Sequence, residues 1–180
     1  MLWFDYDETK FAQAAVYLTT RCREMTKMKL FKLLYFADKQ HLCEYGRPIV
    51  GGHYVAMEHG PVHSQGYDAV KDLTRPVHEA LAVRGSVIAV RSHLGVDALS
   101  ETDVEVLDDV IARLGGCTAK ELRDLSHEEK PWASRERNAE MLFEEMMVGA
   151  DPSIVELVHS DQEIRDLANA LSLSEEQIYS

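Results

Sequence analysis

The sequence predicts a mainly α fold: an α+β, single compact helical domain with a small β-hairpin or short sheet. Apolar side chains recur at helical spacing in residues 29–42, and again in residues 100–115, where capping residues stand at both ends. Between these stretches, short β-branched runs beside glycines indicate strands. The chain of 180 residues is long enough for one domain with a substantial core, and short for two.

Two helices are predicted in the first quarter of the chain. The first is marked by apolar residues at helical spacing, namely Phe11, Ala15, Leu18 and Cys22. Thr26 is placed to cap the second helix, because its hydroxyl can accept from a free N–H of the first turn. We expect this helix to run to Glu44, since Gly46 and Pro48 follow.

The next segment is predicted to be extended at first. Ile49–Val50 and His53–Met57 look like short strands that pair as a hairpin around Gly51–Gly52.

A helix is then predicted over Val62–Leu73. Gly60 is expected to end the extended stretch, and Pro61 suits the first helical turn, where its missing N–H costs nothing. The β-branched residues of Val87–Arg91 predict a further strand.

Capping boxes mark two later helices. Ser100 and Asp103 stand at the spacing of a capping box, and Gly115 is expected to end the helix that they begin. Thr118 and Glu121 repeat this arrangement for the next helix.

Pro131 is expected to break the chain after these helices. Two more helices are predicted, over residues 135–147 and 152–171. The second would belong to a C-terminal helical tail over residues 150–180, and we expect residues 1–180 to form a single domain.

Charge is unevenly distributed. The net charge is −12; residues 1–96 carry 12 basic and 10 acidic side chains, whereas residues 97–180 carry 7 and 21. An acidic surface repels phosphate backbones, so direct binding to nucleic acid is disfavoured. The charge suits solubility, or a basic or hydrophobic protein partner.

The sequence predicts a cytoplasmic protein without a membrane segment. No apolar run approaches the roughly 20 residues that span a bilayer, and the opening "MLWFDYDETK" is not a signal peptide. Three widely spaced cysteines do not indicate a disulfide framework. No glycine-rich nucleotide loop occurs, and we expect no cofactor.

Asp38 and His41 are unusual because they fall on the apolar face of the second helix. They are three residues apart and therefore neighbours. They could form a buried polar pair satisfied by nearby partners, a general acid/base dyad, or part of a metal site. The first interpretation is favoured, because no nucleophile or oxyanion-hole motif accompanies them.

A second histidine group could bind a metal. His53, His59 and His63 lie close in sequence, but His59 and His63 flank Gly60–Pro61 and do not share one helix. No H-E-x-x-H motif is present. We expect no metal, although a metal-dependent hydrolase that uses these histidines remains an alternative.

Three segments carry a resemblance to a known family. "MKLFKLLYFADKQHL…GRPI" resembles the second helix of the Panacea domain, also called the SocA-like antitoxin domain. "EHGPV" resembles the family's "YGPV" turn, and "LSHEEKPWASR" its late "LTHxxxPW" segment. The three occur in the same order and spacing, and together they cover about residues 26–135.

The resemblance implies an antitoxin of a two-gene toxin–antitoxin pair from a bacterium or a phage, which binds a co-expressed toxin protein and is not an enzyme. Neutralisation would occur by direct occlusion, or by delivery of the toxin to a AAA+ protease, as one relative does. A further alternative is an acidic, phage-encoded inhibitor of a basic nucleic-acid-binding protein.

The resemblance also suggests roles for particular residues. Asp38, His41, His127 and Trp132 are candidates for one buried polar network that fixes how the early and late helices dock. Gly60–Pro61 would be a structural turn.

The toxin-binding surface is expected on the lysine-bearing side of the second helix, where Phe36 is exposed among basic side chains, together with the turn near His59. Cover by another helix is the alternative role for Phe36. The residues expected to form this surface are Lys29, Lys32, Phe36, Lys39, His59 and His63.

Overall fold

The structure is a computed structural model that describes residues 1–171. Within that range the chain is mainly α, as predicted, and it contains two small antiparallel sheets. The predicted tail over residues 150–180 lies partly outside the described residues. The helices are α1 (Glu8–Arg21), α2 (Lys27–Tyr45), α3 (Ser64–Asp72), α4 (Arg75–Ala80), α5 (Glu101–Leu114), α6 (Ala119–His127), α7 (Lys130–Ala133), α8 (Phe143–Met146) and α9 (Pro152–Ala170). The strands are β1 (Tyr54–Met57), β2 (Gly60–His63), β3 (Leu81–Arg84), β4 (Val87–Val90) and β5 (Glu140–Met141).

Helix α2 is the centre of the molecule. Its predicted ends are confirmed: the Thr26 side chain accepts from the Lys29 N–H, and Gly46 ends the helix at φ +75°. The helix packs against α1, α5, α6, α9 and β2. Because the helix is enclosed on most sides, the first part of the predicted lysine face is buried. Lys29 and Lys32 are only 4% and 1% exposed.

The predicted hairpin around Gly51–Gly52 is wrong, because the hairpin turn lies at Glu58–His59, between β1 and β2. β1 pairs antiparallel with β2, and Met57 lies opposite Gly60. The glycine pair instead brings the chain against the N-terminal segment, where the Gly52 N–H donates to the Phe4 carbonyl at 2.8 Å. A bridge between distant segments leaves no local sequence signal.

The predicted helix start at Pro61 is also wrong. Gly60 and Pro61 belong to β2, which is an edge strand of the order β2-β1-β5 and therefore tolerates a proline. Helix α3 begins only at Ser64, where the His63 ring accepts from the Gly66 N–H at 2.9 Å. The histidine thus takes the capping role that a proline was expected to prepare.

The later elements are confirmed where local signals are strong. Both capping boxes form, at α5 and at α6. The strand predicted at Val87–Arg91 is present as β4, paired with β3.

The helix predicted over residues 135–147 is wrong. The backbone turns at Asn138, which has φ +66°, and β5 then pairs with β1 before the short helix α8. The helix predicted over residues 152–171 is confirmed as α9, capped by the Asp151 side chain.

Two apolar clusters form the core. The larger joins α1 and α2 to α4, α5 and α6, and the smaller lies between α2, β1, α8 and α9. Phe36 is half-buried and packs against both clusters. Among residues 1–171, none of the helices combines the length and apolarity that crossing a lipid bilayer requires.

Candidate partner-binding site

Asp38 holds the end of α2 to the start of the sheet. Its Oδ1 accepts from the Ile49 N–H at 2.8 Å and the Val50 N–H at 3.3 Å, and its Oδ2 accepts from the Tyr54 hydroxyl at 2.7 Å. Burial raises the pKa of Asp38 to about 6, although these donors oppose the shift. The carboxyl group therefore supplies the acceptor for two N–H groups of a buried loop.

His41 lies at a different junction, between α1, α2 and α5. Its Nδ1 donates to the Arg47 carbonyl at 2.7 Å, and its Nε2 lies 3.0 Å from the Thr102 hydroxyl and 3.1 Å from Asp103 Oδ1. Lys10 Nζ donates to the other oxygen of Asp103 at 2.8 Å. Burial opposes ionisation of Asp103, but the hydrogen bonds from His41 and Lys10 and the charge of Arg47 hold the pKa of its carboxyl well below the usual range.

The three motif segments meet around Lys32. Its Nζ donates to the Pro61 carbonyl at 2.7 Å, and burial lowers the pKa of this amine to about 7. Gly60, at φ +94°, leaves the space for this contact. A Cβ there would overlap Ser126 Oγ and lie 2.9 Å from Lys32 Nζ. Glycine is therefore required where α2, β2 and α6 approach each other.

His127 and Trp132 form one stacked unit at the edge of this junction. Their ring centroids are 4.0 Å apart and their planes differ by 1°. Trp132 Nε1 donates to the Met57 carbonyl at 2.9 Å, which ties the unit to the hairpin. Burial and the charges of Arg123 and Lys32 lower the pKa of His127.

The structure does not place the four predicted polar residues in one network. Asp38 and His41 are both fully buried, but they bind different loops, and no hydrogen bond joins them within the described residues. His127 and Trp132 contact each other and the hairpin instead. Each of the three groups fixes a separate junction: Asp38 joins α2 to the loop and strand that follow it, whereas the other two groups join early elements to late ones.

A groove lies beside this junction, between α2, α5 and α6. Its volume is about 570 Å³, and both apolar and charged side chains line it. Lys39 and Glu129 form an ion pair across one end. Its lining comprises Phe36, Lys39, Gln40, Cys43, Glu44, Asp109, Arg113, Leu114, Leu125, Glu128 and Glu129.

The six residues predicted to bind a partner are divided by the structure. Lys29, Lys32 and His63 are buried, and each hydrogen-bonds within the protein, so they are not available at the surface. That part of the prediction is wrong, because the pattern of α2 could not reveal cover by its neighbours. Phe36 and Lys39 line the groove, whereas His59 is exposed at the hairpin turn.

His53, His59 and His63 are not grouped as metal ligands in the part of the chain that the structure describes. Both ring nitrogens of His63 are engaged, Nε2 with the Gly51 carbonyl at 2.7 Å and Nδ1 with the Gly66 N–H at 2.9 Å. Burial also lowers the pKa of His63 to about 4. Over residues 1–171, no three His, Cys, Asp or Glu side chains are grouped so that they could hold an ion.

Sequence reasoning missed two contributors to these junctions. Asp103 was recognised as a helix cap, but its ion pairs with α1 and the loop after α2 depend on distant residues. Tyr54 was read as a strand residue, although its hydroxyl binds Asp38. A buried carboxylate on the preceding helix is the signal that such a donor must exist.

The matched family covers the elements that meet at this site. Residues 30–133 match the family described as Antitoxin SocA-like, Panacea domain. Because the match spans more than half of the chain, this protein belongs to that family. It is similar to Antitoxin SocA of Caulobacter vibrioides (strain NA1000 / CB15N), with 29% identity over 110 residues, which is 60% of this chain. The chain spans 58% of the length of that curated relative. No solved structure matches this chain.

Proposed function

We propose that this protein is an antitoxin that neutralises a co-expressed protein toxin by binding it directly. The observation that carries the proposal is the family match over residues 30–133, which includes one motif segment whole and most of the other two. In this proposal the protein acts by binding and not by catalysis. The contacts of Asp38 and His41 support it, because these buried groups hold secondary-structure elements together.

The groove between α2, α5 and α6 is the proposed toxin-binding surface. Phe36 and Leu125 supply apolar area, and Lys39 and Glu129 supply charge at the rim. A half-buried aromatic inside a charged rim is a common anchor in protein interfaces. A stable complex would bury on the order of 1,600 Å², so the contact would extend beyond the groove.

Co-expression with the product of the neighbouring gene tests the proposal. We expect that product to arrest growth alone, and wild-type antitoxin to relieve the arrest and to co-purify with it. If wild type gives no relief and no complex, the proposed function is wrong.

A matched pair of variants tests the surface. Leu125 in the groove and Leu73 at the end of α3 are 39% and 38% exposed. We expect Leu125→Asp to weaken relief and Leu73→Asp to leave it intact. Equal relief by both variants would move the binding surface elsewhere.

The mechanism follows from the fate of the toxin. Occlusion leaves the toxin present in a stable complex, whereas delivery to a AAA+ protease removes it. Both proteins are expressed in the cytoplasm, translation is stopped, and the half-life of the toxin is measured with and without the antitoxin. This half-life distinguishes occlusion from delivery to a protease. An unchanged or longer half-life favours occlusion.

A further inference from the structure

Helix α9 carries an apolar stripe that nothing in the described structure covers. Leu157, Ile164, Leu167 and Leu171 are between 46% and 62% exposed. Their spacings of seven, three and four residues place them on one side of the helix. Val158 and Gln162 lie on another side of the helix and are buried against the protein, so the stripe faces outward.

The edge of this stripe is acidic. Glu156 and Glu163 precede Leu157 and Ile164 by one residue each, and both glutamates are exposed. Asp166 adds a further negative charge to the helix, and Arg165 and Asp161 form an ion pair that contributes no net charge. An apolar stripe flanked by glutamates is complementary to a helix whose leucines are flanked by lysine or arginine.

We infer that α9 binds a basic amphipathic helix of the toxin, with its apolar stripe against the partner's apolar face and its glutamates paired with basic side chains. This inference rests on the proposed function, and it adds a second contact to the groove. A second copy of this chain is a poor occupant, since two such helices would bring glutamates together.

The position of α9 outside the family match indicates that this contact would determine which toxin the protein binds. The family match ends at residue 133, whereas α9 spans Pro152–Ala170. The residues that line the groove all lie within the family match. None of them belongs to α9 or to its apolar stripe. The shared domain therefore carries one surface, and this C-terminal helix adds another that discriminates by charge.

Synthetic helical peptides test the inference on the full chain. One peptide carries leucines at helical spacing flanked by lysines, and its control carries the same leucines flanked by glutamates. Fluorescence anisotropy should show binding of the lysine peptide, weakened by salt, and none of the glutamate peptide. Exchange of both glutamates, Glu156→Lys with Glu163→Lys, should reverse this preference.

The apolar stripe is tested by a matched pair of double variants. Leu157→Asp with Leu167→Asp should weaken binding of the lysine peptide at least about 100-fold. The two leucines would be buried in the wild-type complex, and the variant loses the free energy of that burial. Val87→Asp with Val96→Asp adds the same charge at other exposed apolar positions and should bind as wild type does. Circular dichroism confirms that both variants are folded.

Three results would overturn the inference. The first is equal binding of the lysine peptide by both double variants. The second is a wild-type dimer by light scattering that the α9 variant dissociates, which would make a second copy the occupant. The third is growth rescue by the α9 variant equal to that of wild type. In that last case the proposed function stands, since it fails only when wild type gives no rescue.

Discussion

Replacing Lys32 with methionine removes a buried ammonium group and keeps a side chain of similar length. Wild-type Lys32 is 1% exposed, and its Nζ has the Pro61 carbonyl as its hydrogen-bond acceptor. A single carbonyl is poor compensation for the water that the charged amine loses. Folding therefore favours the neutral amine, and stability should depend on pH through this one residue.

The magnitude follows from the pKa of this amine, which burial lowers from 10.5 to about 7. The unfolded lysine stays protonated up to about pH 10, so between pH 7 and pH 10 the folded state holds fewer protons. Wild type should gain stability as pH rises through this window and lose it as pH falls towards 7. At about 1.4 kcal/mol per pH unit, the gain from pH 7 to pH 9 is about 2 kcal/mol, or roughly 4–8 °C in Tm.

Thermal unfolding followed by circular dichroism at pH 7 and pH 9 measures the effect. The relevant quantity is the change in Tm between the two pH values, compared between wild type and Lys32→Met. The variant should lack the increase due to Lys32, while Lys71→Met, at an exposed lysine, should behave as wild type does. Equal changes in wild type and Lys32→Met would refute the reasoning, because Lys32 would then keep its proton in the fold.

Three further predictions concern the other junctions. Gly60→Ala should lower the free energy of unfolding, measured in urea, by about 2 kcal/mol, because φ +94° and the overlap with Ser126 both oppose a Cβ. Gly116→Ala is the control, since the space around Gly116 is open, and equal losses in the two variants would contradict the argument. His41→Ala should lower Tm by several degrees, since it leaves buried polar partners unpaired, and an unchanged Tm would show that those partners do not need the imidazole. Burial raises the pKa of Asp38 to about 6, so between about pH 4 and pH 6 the folded state keeps a proton that the unfolded state loses, and wild type loses stability as pH rises. Asp38→Asn should lack this loss. Equal pH profiles of the unfolding free energy in urea for the two proteins would contradict this prediction.

Local signals were sufficient for the helices that carry their own caps. Ser100 with Asp103 and Thr118 with Glu121 are bonded as their spacing predicts. These contacts join residues three apart, so the sequence contains both partners of each bond. The same holds for Thr26 and Gly46 at the ends of α2.

Tertiary contacts decided the features that the sequence could not predict. Lys29 looked exposed from its helical position, but Gly115 and Arg23 supply carbonyl acceptors that let its Nζ be buried. The 135–147 segment had the composition of a helix, yet pairing with β1 fixed part of it as a strand. A periodic pattern identifies one buried face, and it cannot report whether a second element covers the other.

The same limit applies to the candidate site. The motif residues were located, but their partners lie far along the chain: Trp132 binds the carbonyl of Met57, and Lys32 that of Pro61. Only the folded chain shows that a Cβ on Gly60 would meet both Ser126 and Lys32.

The N-terminal segment has a consequence for biosynthesis. The Trp3 backbone N–H donates to the Gln162 side chain across 159 positions of sequence, and Leu2 is buried in the same cluster as α8 and α9. At 5–20 residues per second, a ribosome needs about 10–30 s to make the helix that covers these first residues. A nascent chain therefore exposes the apolar Leu2 and Trp3 to chaperones and proteases for that time, until α9 has been translated and can cover them.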